Sequence, residues 1–155
     1  MNSYRVIAIP EKVSHKVRTL LKAPGYGHPA HVEVATGYGP CRACLRKFKE
    51  GEEERVLFTY DPFHGLDSYP SPGPVFIHRE DCPRYDAEGF PPELLDLPLT
   101  LEAYGPERWI VARERVVDGE VDAAIARLLA HEEVRYLHVR NTEAGCYMAR
   151  VERAG

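Results

Sequence analysis

The fold is decided by a stretch in the last third of the chain, residues 118–151, which reads DGEVDAAIARLLAHEEVRYLHVRNTEAGCYMARV. Apolar residues recur at helical spacing over 121–129, and Asp118 stands in front of them as a candidate N-cap. Two strand-like runs follow at 134–140 and 146–151, separated by a segment of the right length for a hairpin turn. This part of the chain therefore predicts a helix followed by an antiparallel hairpin.

Upstream of this stretch the sequence predicts many short strands and one further helix. After Pro10, Val13 and Val17 begin an apolar stripe at helical spacing, with lysines on the other faces. Strands are predicted at 4–9, 31–35, 55–60, 75–78, 99–104 and 108–117. Short helical segments are predicted at 41–48 and 79–85. Because helices are few and hairpins many, we expect an α+β fold with two main helices and a mostly antiparallel or mixed sheet.

Length and composition are those of one globular domain. The chain has 155 residues, of which 44% are hydrophobic, so it can bury a core without a metal or a disulfide. We expect a single domain over residues 1–155. Four prolines and two glycines within 61–74 predict an irregular loop, which is either a wall of the functional site or a surface loop.

Basic and acidic residues are unevenly distributed. Residues 1–50 hold nine Lys and Arg against three Asp and Glu, although the whole chain has a net charge of −4. Part of this excess lies on the first predicted helix. A second basic group surrounds two cysteines and consists of Arg42, Arg46, Lys47 and Lys49. We expect this group to lower the pKa of the neighbouring thiols, and it lacks the interleaved aromatic residues that would predict a nucleic-acid interface.

The sequence carries no pattern typical of targeting or of a membrane span. The apolar run at 4–10 is too short for a secretory signal peptide, and no run approaches the roughly 20 apolar residues that cross a bilayer. We therefore expect a cytoplasmic protein that does not enter a membrane. In that compartment cysteines are free or bind metal more often than they form disulfides.

The most informative chemical pattern is Cys41-x2-Cys44 followed by His78-x3-Cys82. Two thiolates on a tight turn can bind one cation, and a His and a Cys four residues apart can reach the same ion. Four nitrogen and sulfur ligands match a closed tetrahedral zinc site. The gap between the two pairs is longer than in typical zinc fingers, and cysteines that simply pack in a core are the alternative.

The same pair of cysteines also permits redox chemistry. If Cys41 and Cys44 lie at the start of a helix, the helix dipole and nearby arginines would acidify the first thiol. Cys41 would then be the attacking thiol of a thiol-dependent redox enzyme, and a pKa above about 8 would argue against that role. No tryptophan precedes Cys41, and the following segments do not supply the helix of a thioredoxin-like fold.

A third hypothesis is a Cys/His hydrolase or transferase. It needs a nucleophile, a base and an orienting carboxylate. The candidate nucleophiles are Cys41 and Cys82, the candidate bases are His64 and His78, and the candidate carboxylates are Asp61 and Asp81. Nothing in their spacing requires this chemistry, and no nucleophile elbow or phosphate-binding glycine loop is present.

The predicted C-terminal hairpin offers a weaker site. Tyr136, His138 and Arg140 alternate along one strand and so share a face, which could bind an anion with Arg140 as the forked donor. A solvated sheet face with ordinary cross-strand pairs is the alternative. Cys146 is expected to be a core residue, and it becomes a spare metal ligand only if the register brings it to Cys41.

Several phrases, taken in order, resemble the bacterial family known as domain of unknown function 1203. They are 39–46 (GPCRACLR), 57–63 (LFTYDPF), 74–78 (PVFIH), 82–85 (CPRY), 138–141 (HVRN) and 145–150 (GCYMAR). The resemblance implies one domain over nearly the whole chain and carries no activity. We expect a small cytoplasmic binding or regulatory module with a Cys/His site. Its partner would be an unidentified small molecule or protein, and whether it is an enzyme stays open.

Overall fold

A computed structural model describes residues 4–37, 39–63, 72–106 and 109–154. Within these ranges the chain forms two α-helices and eight strands. The strands are β1 (Tyr4–Ile7), β2 (His31–Val34), β3 (Glu54–Tyr60), β4 (Gly73–His78), β5 (Leu99–Tyr104), β6 (Ile110–Arg115), β7 (Tyr136–Asn141) and β8 (Tyr147–Arg153). The helices are α1 (Glu11–Leu20) and α2 (Val121–Leu129), with a short 3-10 helix at Pro92–Leu94.

The strands form two antiparallel sheets, which confirms the predicted α+β fold. The larger sheet has five strands in the order β1-β8-β7-β5-β6, and the smaller has three in the order β2-β3-β4. Each sheet has its own apolar core, with α2 packed in the first and α1 in the second. The cores interlock, because Leu45 from the half with the small sheet packs in the large core while Tyr147 of β8 packs in the small one.

The region predicted first is a helix and a hairpin, as expected. Val121, Ile125 and Leu128 form the buried side of α2, at the helical spacing read from the sequence. The β7–β8 turn is fastened by Asn141, whose backbone carbonyl accepts from Gly145 and whose side-chain oxygen accepts from two further N–H groups. Sequence patterns are sufficient to predict this helix and this turn, because the residues that define each of them lie within a few positions of one another in the chain.

Asp118 is not the N-cap of α2, so that prediction was wrong. Glu120 occupies the position before the helix and makes no side-chain capping bond. Asp118 and Gly119 both have positive φ angles, 53° and 71°. The chain therefore turns sharply two residues before the helix, and the Asp118 side chain is out of place to cap it.

Two predicted helical segments are also absent. Residues 41–48 form a tight turn whose Cys41 N–H donates to the carbonyl of Arg46, and an isolated bridge joins Pro40 to Lys47. Residues 79–85 have no regular structure, because the N–H of Tyr85 donates to the carbonyl of Ala43 on that turn. Contacts between the two segments thus replace the internal hydrogen bonds that a helix would need.

The proline-rich segment begins within the described part of the chain and ends in a strand. Phe63 is buried, and Gly73 and Pro74 already belong to β4. Residues 64–71, including the candidate base His64, lie outside the described residues. In the part that is described, no helix is long and apolar enough to cross a membrane.

Candidate metal centre

Four side chains predicted as metal ligands meet at one point between α1 and the small sheet. One ligand atom from each of Cys41, Cys44, His78 and Cys82 lies within 4.8 Å of the other three. The Sγ atoms of Cys41 and Cys82 are 3.7 Å apart, and the Sγ of Cys44 is 3.5 Å from Nδ1 of His78. These ligand atoms are therefore close enough to share a single ion.

The two separations agree with the edges of a zinc tetrahedron. With Zn–S bonds of about 2.3 Å and Zn–N bonds of about 2.0–2.1 Å, the S···S and S···N edges are about 3.8 and 3.6 Å. A disulfide would need sulfurs about 2.05 Å apart, and the 3.7 Å between Cys41 and Cys82 exceeds that by far. The geometry is that of thiol or thiolate ligands arranged around a cation-sized space.

The first pair of ligands is positioned by an unusual turn. Leu45, directly after Cys44, is fully buried and has a φ of 59°. A bulky residue in this left-handed conformation costs on the order of 1–3 kcal/mol and is found chiefly where a site demands it. Here the turn folds the chain so that the N–H of Leu45 reaches the carbonyl of Cys41 at 2.8 Å. Both thiols consequently point to the same side.

Backbone N–H groups are directed at the sulfurs. The Sγ of Cys41 accepts from the N–H of His78 at 3.2 Å and from that of Ala43 at 3.4 Å. The backbone N–H of Arg46 also bonds to the sulfur of Cys44. Since hydrogen bonds to the charged form of a group favour that form, this arrangement stabilises thiolates.

The site is shielded from water. Cys41 is 0% exposed, Cys44 4% and His78 7%, while Cys82 is only half-buried. The ring of Phe48 covers His78 at a centroid distance of 4.7 Å. Cys41 and Cys44 thus lie in the small apolar core, Cys82 packs at its edge, and His78 is buried beside them.

His78 has its two ring nitrogens in different roles. It is the last residue of β4 and lies opposite Arg55 of β3, which places Glu53, just before β3, beside its ring. Nδ1 faces Cys44, and Nε2 is 3.0 Å from Oε1 of Glu53. A histidine that binds a metal through one nitrogen characteristically donates its other N–H to such a carboxylate.

Arg18 of α1 contacts the second pair of ligands. Its Nη2 donates to the Sγ of Cys82 at 3.2 Å, and its Nε donates to the carbonyl of His78 at 2.9 Å. Its side chain is only 11% exposed, in contrast to the exposed Lys12 and Lys16 of the same helix. Arg18 therefore fixes α1 to the site and places a positive charge beside a sulfur.

In the metal-free cluster, the pKa values of Cys41, Cys44 and His78 depend on burial and on their hydrogen bonds to the other members. Burial raises the pKa of Cys41, whereas hydrogen bonds from Cys41 and Cys82 lower the pKa of Cys44. Burial lowers the pKa of His78, but hydrogen bonds to Cys44, Cys82 and Glu53 outweigh it and raise the pKa to about 10. The directions of these two shifts favour the charged forms of Cys44 and His78, and a cation bound at Nδ1 would displace a proton from the ring.

The basic group around the cysteines behaves differently from the expectation. Arg42 is buried and donates to the backbone carbonyls of Tyr147 and Pro40, at 2.7 and 2.6 Å, so it clamps the turn to β8. Burial lowers its pKa to about 10. Lys47 pairs with Asp96. Arg46 interacts with Cys44, and that hydrogen bond raises the pKa of Arg46.

The remaining candidates lie elsewhere. Cys146 is half-buried at the β7–β8 turn and does not belong to the four-residue cluster. His138 is fully buried among aromatic rings, with Tyr147 at a centroid distance of 4.9 Å. Arg140 donates to Glu102 at 2.6 Å and to the carbonyl of Gly145 at 3.1 Å. Anion binding at His138 and Arg140 stays a prediction.

Neither candidate carboxylate for hydrolase chemistry belongs to the four-residue cluster. Asp81 contacts Arg18 at 3.4 Å and is largely exposed, and the side chain of Asp61 accepts from the N–H of Phe63. Neither contact orients an imidazole.

Glu53 and Arg18, which do contact the cluster, were not identified from the sequence, because neither lies near a cysteine in the chain and no local pattern marks them.

Comparison with known proteins gives a family but no activity. The model of the family described as Protein of unknown function (DUF1203) matches residues 38–153, a range that contains all four clustered side chains. Neither the curated proteins nor the solved structures gave a match. Since the match covers well over half of its length, the chain belongs to the DUF1203 family.

Proposed function

We propose that Cys41, Cys44, His78 and Cys82 bind one zinc ion, and that the protein is a small binding or regulatory module whose structure the ion secures. The observation that carries this proposal is the spacing of the ligand atoms, 3.7 Å between two sulfurs and 3.5 Å from a sulfur to Nδ1. Those two separations match the edges of a zinc tetrahedron, and all four ligand atoms lie within 4.8 Å of one another. In the cytoplasm, where we place the protein, thiols stay reduced and available to a metal.

The composition of the site favours a structural ion over a catalytic one. Three cysteines and one histidine fill all four positions of a tetrahedron and leave none for water or substrate. The ion would join the turn at 41–44, the end of β4 and the irregular segment after it. Through Arg18, which bonds to Cys82, it would also hold α1.

The charges around the site suit the same assignment. Three thiolates and Zn²⁺ carry a net charge of −1, and Arg18 and Arg46 place positive charge beside Cys82 and Cys44. Hydrogen bonds from the Lys49 N–H and from His78 outweigh burial and lower the pKa of Glu53, which keeps it ionised. An ionised Glu53 would hold the Nε2 proton and leave Nδ1 free for the ion.

The thiol-dependent enzyme is disfavoured by the environment of Cys41. A thiol that attacks a substrate from outside the protein must be exposed, whereas Cys41 is 0% exposed and burial raises its pKa. Cys44 has the lowered pKa but is 4% exposed and faces His78 inside the cluster. Both cysteines are thus better suited to bind an ion than to react with a substrate.

The test is the metal content of the purified full-length chain, measured by elemental analysis beside two variants. We expect about one zinc per chain in the wild type and in Cys146→Ser, whose sulfur lies outside the cluster, and far less in Cys44→Ser. Cobalt substitution should give the visible spectrum of a tetrahedral thiolate site. A folded wild type that binds no metal and shows four titratable thiols would contradict the proposal.

A further inference from the structure

Cys82 differs from the other three candidate ligands in its accessibility. Cys41, Cys44 and His78 are buried, whereas Cys82 is half-buried and lines an open cleft of about 340 Å³ between α1 and the segment after β4. A water molecule occupies about 30 Å³ of liquid, so a molecule the size of hydrogen peroxide has ample room to reach this sulfur.

The surroundings of Cys82 favour reaction at its sulfur. Arg18 donates to that sulfur at 3.2 Å and holds it at the edge of the cleft. Residues 81–87 have no regular secondary structure, so the sulfur can shift without breaking a strand or a helix. The sulfur of Cys41 lies 3.7 Å away and can act as the resolving thiol. Closing that distance to a disulfide requires a movement of about 1.7 Å.

We propose that Cys82 is a site of oxidation by hydroperoxides, and that Cys41 completes the reaction by forming a disulfide with it and releasing the metal. This inference rests on the metal centre proposed above. The oxidant is a hydroperoxide and the reductants are the two thiolates.

The reaction has two steps that balance. The Cys82 thiolate attacks hydrogen peroxide, the O–O bond breaks, and a sulfenic acid and hydroxide form. The Cys41 thiolate then attacks the Cys82 sulfur, the S–O bond breaks, and hydroxide leaves as the disulfide forms. Two protons from solvent convert both hydroxides to water. Cys44 and His78 alone remain as ligands, and two ligands hold zinc far more weakly than four.

The experiment uses the full-length wild-type chain, so no ligand needs to be replaced. Zinc content is measured first, and graded hydrogen peroxide is then added with a chromogenic chelator for released zinc. Dimedone traps sulfenic acids, and non-reducing peptide mapping identifies disulfides. Cys146→Ser, which removes a half-buried cysteine outside the cluster, is the matched control.

We expect early dimedone labelling at Cys82 and about one zinc released for each Cys41–Cys82 disulfide. Dithiothreitol should restore binding, and Cys146→Ser should release zinc at the wild-type rate. If zinc is absent before peroxide is added, the metal centre itself fails, and this inference with it. If zinc is present but is retained, or leaves with a disulfide that excludes Cys82, only the oxidation site is wrong.

Discussion

The two sheets are stabilised in different ways. The five-stranded sheet has a continuous apolar core closed by α2, and its central residues such as Leu101, Leu137 and Val139 are fully buried. The three-stranded sheet is close to the minimum for independent stability, and it is flanked by irregular segments at 35–37, 39–53 and 79–91. Those irregular segments carry three of the four cluster residues. If the four clustered side chains bind zinc as proposed, packing suffices for one half of the molecule, whereas the other half depends on a cross-link through the ion.

Loss of the metal should have the largest effect, and it should fall on one half. In Cys44→Ser, which removes one ligand, we expect a loss of about 5 kcal/mol or more, below the 10–16 kcal/mol of zinc-finger peptides because an apolar core remains. For a chain of this size that lowers Tm by about 10 °C or more. Hydrogen exchange should show loss of protection in β3 and β4 but not in β7 and β8. Equal loss in both sheets would remove the distinction between them.

A cavity in the large core should lower the stability of the protein without reducing its zinc content. Leu137 is fully buried in β7, between Ala103 of β5 and Val151 of β8. We expect Leu137→Ala to cost about 3 kcal/mol, within the usual range for such truncations. Denaturant titration measures this loss of stability. The zinc content, measured by elemental analysis, should remain that of the wild type. A variant that folds but loses its zinc would show that the two halves are not separable.

Removal of Glu53 should weaken metal binding without abolishing it. Its carboxylate bonds to Nε2 of His78, and the loss of such partners typically lowers metal affinity 10–100-fold, or about 1.4–2.7 kcal/mol. Competition with a chelator of known affinity measures the effect in Glu53→Ala. Glu53→Gln should lie between, because an amide oxygen still accepts the hydrogen bond. Glu52→Ala, at the exposed neighbouring position, is the control, and unchanged affinity in Glu53→Ala would contradict the assigned role.

The smallest expected effect is the pH dependence of the stability that Glu102 of β5 contributes to the large sheet. Glu102 is 9% exposed, and although burial raises its pKa, hydrogen bonds from Tyr104 and Arg140 outweigh burial and lower it below the unfolded value. A lowered pKa in the folded state stabilises the protein above the unfolded pKa of about 4.3, and that contribution is lost as pH falls through the folded pKa. We expect the stability difference between wild type and Glu102→Gln, on the order of 1 kcal/mol, to shrink in acid.

Denaturant titrations from pH 7 to about pH 3 measure this difference. Glu114→Gln removes the partner of Arg127, on the exposed face of the same sheet, and serves as the comparison. Its effect should be smaller at every pH, because exposed ion pairs contribute little. A constant difference for Glu102→Gln across the range would show that its carboxylate is not stabilised by these partners.

The sequence could predict those parts of the fold that local patterns determine. The apolar positions of α2 and the turn at 141–145 depend on neighbours within a few residues, so periodicity and turn chemistry were sufficient. Residues 41–48 have a composition compatible with a helix. What prevents one is the positive φ of Leu45 together with contacts to the segment after β4, and neither is visible in a single sequence.

The residues of the candidate site also fall into two groups, those that a local sequence pattern identifies and those that only the fold identifies. Cysteine and histidine at chelating spacing identify the four clustered residues from sequence, because their side-chain chemistry is intrinsic. Glu53 and Arg18 acquire their roles only when the register of β3 and β4 and the docking of α1 bring them to His78 and Cys82. The sequence also shows an excess of basic residues near the cysteines, but it does not show what each one contacts. Only the fold shows that Arg42 binds the backbone of β8 and that Arg46 interacts with Cys44.

X-ray absorption at the zinc edge of the purified protein tests the central claim most directly. We expect three sulfur ligands at about 2.3 Å and one nitrogen ligand at about 2.0–2.1 Å, with the outer-shell scattering of an imidazole. That result would be specific to Cys41, Cys44, Cys82 and His78, the group of clustered ligand atoms within the described residues. Zinc coordinated only by oxygen and nitrogen, or a folded protein that retains no zinc, would contradict the account.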